Sequence, residues 1–139
     1  MASVKHLFRA PKHRLPMEEL SEAKVLKDSG LEGCAHAKRH GNRQLLLVDT
    51  ETLELMNLRP GIIRENVTTE GLNVNGLAIG QQLQLGEAKL EVSAICNPCS
   101  KIEKLRPGLR KEMRGRRGML CRVVEGGIVR LGDAIEKLP

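Results

Sequence analysis

Aromatic side chains are almost missing from this 139-residue chain, which has one Phe and neither Tyr nor Trp. Its core must therefore be built from Leu, Ile, Val, Met and Ala. Its surface also lacks the ring platforms on which single-stranded nucleic acids stack. Long apolar runs are missing too. No stretch of about 18 apolar residues could span a membrane, and Met1-Ala-Ser-Val-Lys-His-Leu-Phe-Arg9 has no apolar core of signal-peptide length. A cytoplasmic protein with no membrane contact is expected. No repeat, low-complexity tract or clear linker divides the chain, so its length predicts one domain over residues 1–139, with room for one hydrophobic core.

What the chain does have is a concentrated positive charge. The net charge is +6. Residues 101–117 hold eight Lys/Arg against two Glu, while the fifteen basic and fifteen acidic residues elsewhere cancel. An excess confined to one segment points to an anionic ligand or partner, or to a solvated basic face. Four cysteines are present. In a cytoplasmic chain they are expected to be reduced, reactive or metal-linked rather than disulfide staples.

Short alternating runs predict strands at Val4–Arg9, Gln44–Asp49, Leu77–Leu85, Ala88–Ile95, Met119–Glu125 and Ile128–Leu131. Gly86-Glu87 reads as a turn, and Gly126-Gly127 as a two-residue hairpin in which both glycines can take positive φ. Thr50–Leu58 reads as a short helix capped by Asp49 or Thr50, and Leu109–Arg114 as another. Many short strands without regular strand–helix alternation predict a mostly β fold with short helices, as a barrel or a folded-over sheet.

The strand-like run at 88–95 breaks at Cys96-Asn97-Pro98-Cys99, immediately before the basic segment. Pro98 fixes the backbone ahead of Cys99. A thiol held rigidly among cations ionises readily, and the thiolate is both nucleophile and soft metal ligand. Cys96-x-x-Cys99 could also be a redox pair, although no convincing helix is predicted directly after it. With Cys34 and His36 it could form a zinc site. Two inert core cysteines are an equally ordinary outcome. The loop Gly30-Leu-Glu-Gly33-Cys-Ala-His36-Ala-Lys-Arg39-His40-Gly41-Asn-Arg43 offers glycine N–H groups and Arg39 or Arg43 to an oxyanion, with His36 as an acid, base or ligand. In Arg64-Glu65-Asn66-Val67-Thr68-Thr69, the Asn and Thr side chains can bond their own backbone into a turn. Glu65 and Asn66 could hold a polar ligand or satisfy buried backbone.

In this order, the segments resemble a MOSC domain, the family named for the C-terminal domain of molybdenum-cofactor sulfurase. The resemblance rests on four blocks: Gly30-Leu-Glu-Gly33 followed by His36; Gly61 followed by Arg64-Glu65-Asn66-Val-Thr-Thr-Glu-Gly71-Leu72; Ile79-Gly80 with Leu85-Gly86-Glu-Ala88; and Pro98-Cys99-Ser-Lys101-Ile102. The tail from Arg116 to Asp133 is similar to the family's closing hairpin, and the likeness spans about residues 3–137. The chain departs from the family's Gly-Asp-x-His pattern, because Cys34 stands where Asp is expected.

The resemblance implies a closed or partly closed β-barrel-like domain that binds molybdenum cofactor (molybdopterin) or carries sulfur as a persulfide. Cys99 is then the catalytic thiolate and the molybdenum ligand. The remaining cofactor contacts are expected among His36, Arg43, Arg64, Glu65, Asn66, Thr68, Lys101, Arg116 and Arg117, with cations for the phosphate. No PLP-binding segment is recognisable, so a free-standing domain would take sulfur from a separate cysteine desulfurase. As a reductase of N-hydroxylated compounds it would need an electron-transfer protein. Two other classes compete: a basic nucleic-acid-binding module, disfavoured by the missing aromatics and helix-turn-helix pattern, and a small structural zinc domain on Cys34, His36, Cys96 and Cys99.

Overall fold

The computed structural model describes residues 2–12, 15–35, 37 and 39–139. The chain runs β1 (Ser3–Arg9), β2 (Glu18–Leu20), β3 (Glu22–Leu26), β4 (Gly30–Leu31), β5 (Leu45–Asp49) and α1 (Thr50–Leu55). It continues through β6 (Val67–Glu70), a 3-10 turn (Val74–Gly76), β7 (Gln82–Leu85) and β8 (Ala88–Ile95). Last come α2 (Ser100–Glu103), α3 (Leu109–Glu112), β9 (Met119–Glu125), β10 (Gly127–Arg130) and β11 (Ile135–Lys137). The fold is mostly β with short helices.

One sheet has the order β11-β7-β8-β9-β5-β6-β1-β2, and a smaller one β10-β3-β4. The ends of the large sheet approach each other. Ser3 bridges Ala134 antiparallel, the Val4 N–H donates to Asp133 O at 2.9 Å and the Ile135 N–H to Ala2 O at 3.1 Å.

β5 explains how the sheet is buried on both sides. Its run Leu-Leu-Leu-Val-Asp is buried throughout, because successive side chains point to opposite faces. Leu45 and Leu47 join one core with Leu7, Leu83, Leu90 and Val123. Leu46 and Val48 join a second core beneath Leu53 of α1, Ile102 of α2 and Leu109 of α3. The helices thus cap the outer face and hold the basic segment against it. β5 and β6 run parallel, with Leu47 opposite Val67 and Asp49 opposite Thr69. That arrangement requires a crossover, and α1 lies within it.

Several sequence expectations need correction. Val67-Thr-Thr-Glu is a strand rather than a turn: Thr68 and Thr69 are buried, and β6 pairs with both β1 and β5. The expected strand over Leu77–Leu85 shrinks to Gln82–Leu85, because Gly80 turns at φ +92°. α1 stops at Leu55, and Asn57 follows at φ +57°. A short helix, α2, does start directly after Cys99.

Gly126-Gly127 does not close a hairpin. β9 pairs with β8 and β5, whereas β10 pairs with β3, Ile128 opposite Lys24. The chain therefore changes sheets at these glycines, and neither has the positive φ that a hairpin turn would use. They are needed for close approach instead. A Cβ on Gly126 would lie 2.6 Å from Val25 O, and one on Gly127 2.6 Å from Glu87 Cβ.

Candidate functional site

Strand pairing brings the two halves of the site together. Ile95, the last residue of β8, is opposite Met119, the first of β9. The chain leaving β8 at Cys96 therefore meets the chain entering β9 at Arg117-Gly118, and the Cys96 N–H donates to Gly118 O at 3.1 Å. Cys99 is extended (φ −118°, ψ 179°) and caps α2. Its carbonyl accepts from the Ile102 N–H at 3.0 Å. Cys99 is the exposed cysteine, while Cys34, Cys96 and Cys121 are buried.

Burial pushes the Cys99 thiol up, but the main-chain N–H groups of Lys101 and Ile102, followed by Arg117 and Lys101, outweigh it, so the net shift is down. Burial alone acts on Cys121 and drives it up to about 12. Of these two thiols, Cys99 is therefore the one poised as a thiolate.

Two hollows flank this point. One, of about 560 Å³, has Cys99 in its wall beside the apolar Phe8, Leu15, Met17, Ile63 and Leu105. The other, of about 540 Å³, is lined by Arg43, Asn66 and Cys96 among others. Arg64, Lys101 and Arg117 belong to both linings, and neither lining contains a carboxylate.

The arginines are held with donors to spare. Arg117 is 8% exposed; its Nη2 donates to Ile63 O at 2.7 Å, but Nε and Nη1 are buried without a partner among the described residues. Arg64 sits at φ +65°, a costly backbone region for a side-chain-bearing residue. Its Nη1 donates to Leu15 O, and its Nη2 is likewise buried and unpartnered. Unsatisfied buried donors are expensive. Several of them, with Lys101 and no acid among the described residues of the wall, are donors that an anion could accept.

The other anticipated residues have different places. Glu65 is fully buried and lines neither hollow. Its Oε2 accepts from the Gly61 N–H and from the Thr68 hydroxyl, both at 2.9 Å. Asn66 is an internal clip. Its Oδ1 accepts from the Leu46 N–H at 2.9 Å, and its Nδ2 donates to Phe8 O at 3.2 Å and to Cys34 Sγ at 3.4 Å. Cys34 Sγ also accepts from the Ala10 N–H at 3.3 Å, so sulfur serves as an acceptor where the family pattern has a carboxylate. Arg116 is exposed and lines neither hollow. His36 lies outside the described residues. Among the described residues, no three His, Cys, Asp or Glu side chains cluster as a metal site requires.

The apolar wall went unnoticed in the sequence. Phe8, Leu15, Met17 and Leu105 are scattered in number, and no spacing rule joins them. The single Phe was the one available hint.

The sequence model of the MOSC domain family matches residues 38–136. The chain belongs to the MOSC domain family. Solved structures agree on the fold. The YuaD protein of Bacillus subtilis superimposes with a TM-score of 0.81 at 21% identity, over 97% of this chain and 94% of that one. YiiM from Geobacillus stearothermophilus gives 0.82 at 18%, over 100% and 76% of the two chains. YiiM from Escherichia coli gives 0.74 at 22%, over 99% and 70%. No curated protein matches the sequence of this MOSC domain. None of its helices is long and apolar enough to cross a membrane, among the described residues.

Proposed function

We propose that this MOSC domain binds an anionic molybdenum cofactor, with Cys99 as the thiolate ligand to molybdenum. The observation that carries this reading is the meeting of an ionisable, exposed sulfur with buried guanidinium N–H groups that have no partner, in walls without a carboxylate. Those groups fit such a cofactor: soft sulfur suits molybdenum, and the arginine forks suit phosphate.

In this reading Cys99 meets the metal, while Arg64, Lys101 and Arg117 hold the anionic end and Arg43 reaches it from the second hollow. Glu65, Thr68 and Asn66 act at one remove, fixing the chain from Gly61 into β6 and so the path of Arg64. When bound, the metal centre supplies two-electron chemistry of the kind that reduces an N–O bond. Electrons then come from a separate carrier protein. Phe8, Leu15 and Ile63 would place an apolar surface beside the reacting end in the same hollow. The Ser3–Ala134 bridge supports reading the large sheet as a partly closed barrel, and the shared cores support one domain over residues 1–139. Four unpaired cysteines support a cytoplasmic setting.

The exposure of Cys99 favours one second reading, in which the sulfur carries a persulfide received from a cysteine desulfurase. The two are separated by purifying the protein from a cofactor-competent host and measuring molybdenum, pterin and the mass of Cys99. Metal and pterin in the wild type and their loss in Cys99→Ser support the ligand reading. Equal content in both removes Cys99 from that role. Absence of both from well-loaded preparations, with a persulfide mass shift on Cys99, supports the carrier. Reduction of an N-hydroxylated base with an added donor system completes the test.

A further inference from the structure

The α2–α3 segment spends its own acids on folding itself. Glu103 accepts the Gly108 N–H at 2.7 Å and the Arg110 N–H at 3.1 Å. Glu112 pairs with Arg106 at 3.1 Å, and Arg106 also donates to Met56 O at 2.9 Å. Inward, Ile102, Leu109 and Met113 are buried in the second core. Outward, Lys101, Lys104, Arg110, Lys111, Arg114 and Arg116 are exposed, and none of them is within ion-pair distance of an acid among the described residues. At the edge of this face lies the hollow that holds Cys99, whose rim carries Leu15, 46% exposed, and Leu105, 42% exposed.

We propose that the outward face of α2–α3 is the docking surface for an acidic electron-carrier protein, seated so that its footprint covers Cys99. The charge argument is direct. The whole net charge of the chain resides in this segment, eight Lys/Arg against two Glu, and cations in such excess, six of them without an ion-pair partner among the described residues, raise the local potential and steer an oppositely charged partner. The partly exposed leucines at its edge supply apolar contact that cations alone lack. A protein is favoured over a single-stranded nucleic acid because the face has no aromatic ring on which a base could stack, and over a duplex because partly exposed leucines match an apolar protein contact rather than a phosphate backbone. A partner seated here is brought to the one exposed sulfur rather than to a distant edge of the sheet. The proposal rests on the reading of Cys99 as the working group.

The test uses the purified chain with flavodoxin as the acidic probe, cytochrome c as a basic control and a DNA duplex as the competing class. Flavodoxin is expected to bind at low salt, to weaken about tenfold or more at physiological ionic strength, and to slow iodoacetamide alkylation of Cys99. Charge reversal at Lys104, Lys111 and Arg114, whose side chains make no hydrogen bond among the described residues, should abolish that binding. It should leave alkylation of the free protein and its thermal unfolding unchanged. Failure of flavodoxin to bind at low salt, binding unaffected by the reversals, binding shared by cytochrome c, or unprotected Cys99 each overturns the proposal. Tighter binding of the DNA duplex, lost in the same variant, overturns it in favour of a nucleic-acid surface. Docking by protein that carries neither molybdenum nor pterin when purified from a cofactor-competent host would leave this inference standing and count against the cofactor reading alone.

Discussion

Arg117 and Cys99 line the same hollow, and the arginine's charge lowers the pKa of the sulfur. The guanidinium is tethered through Nη2 to Ile63 O and cannot move away as a surface cation would. Arg117→Met should therefore raise the pH midpoint of Cys99 alkylation. The reaction at neutral pH should slow with it, because less of the sulfur is then thiolate. An unchanged midpoint in a folded variant would show that the helix-start N–H groups and Lys101 act without Arg117.

Cys99 and Cys121 should react at opposite ends of the unfolding scale. Cys99 is exposed and its pKa lowered, so its alkylation should reach half-maximal rate below the ordinary thiol value. Cys121, fully buried with its pKa near 12, should stay unmodified until the protein unfolds. Peptide mass mapping after graded iodoacetamide exposure gives the order, and early labelling of Cys121 would contradict it.

Asn66 joins three parts of the chain through Leu46, Phe8 and Cys34. Asn66→Ala leaves those buried partners unsatisfied and should lower the unfolding free energy by about 3 kcal/mol, a large fraction of a domain's stability. Denaturant titration measures it. A loss below about 1 kcal/mol would mean that water replaces the side chain.

The Asp28 carboxyl is held below its usual range, first by the Gln44 side-chain N–H at 3.0 Å and then by His40. A carboxylate with a lowered folded pKa stabilises above its unfolded value, near about 4, and the contribution disappears as pH falls through the folded value. The difference in melting temperature between wild type and Asp28→Asn should therefore be steady from about pH 5 upward and shrink below about pH 4. A difference that grows in acid would reverse the assignment.

Strands whose side chains alternate between core and water were legible in sequence. β8 spans Ala88–Ile95 as expected, with Ala88, Leu90 and Val92 buried, and β9 spans Met119–Glu125. β6 was not legible, because Thr68 and Thr69 have turn-forming side chains whose hydroxyls are buried between β1 and β5 only after those strands arrive. The glycine pair at 126–127 misled for a related reason. Glycine marks both positive φ and close contact, and only the neighbouring Val25 and Glu87 distinguish the two.

Composition and order alone determined the family, the mostly β character and the place of Cys99 at the head of a basic segment, because these depend on residues close together in the chain. Folding alone decided that Arg64, 35 positions upstream, and Arg117, 18 downstream, would share the hollow of Cys99 while Arg116 faces water. Strand pairing sets which distant residues meet, and a one-residue step along an extended chain turns a side chain to the opposite face.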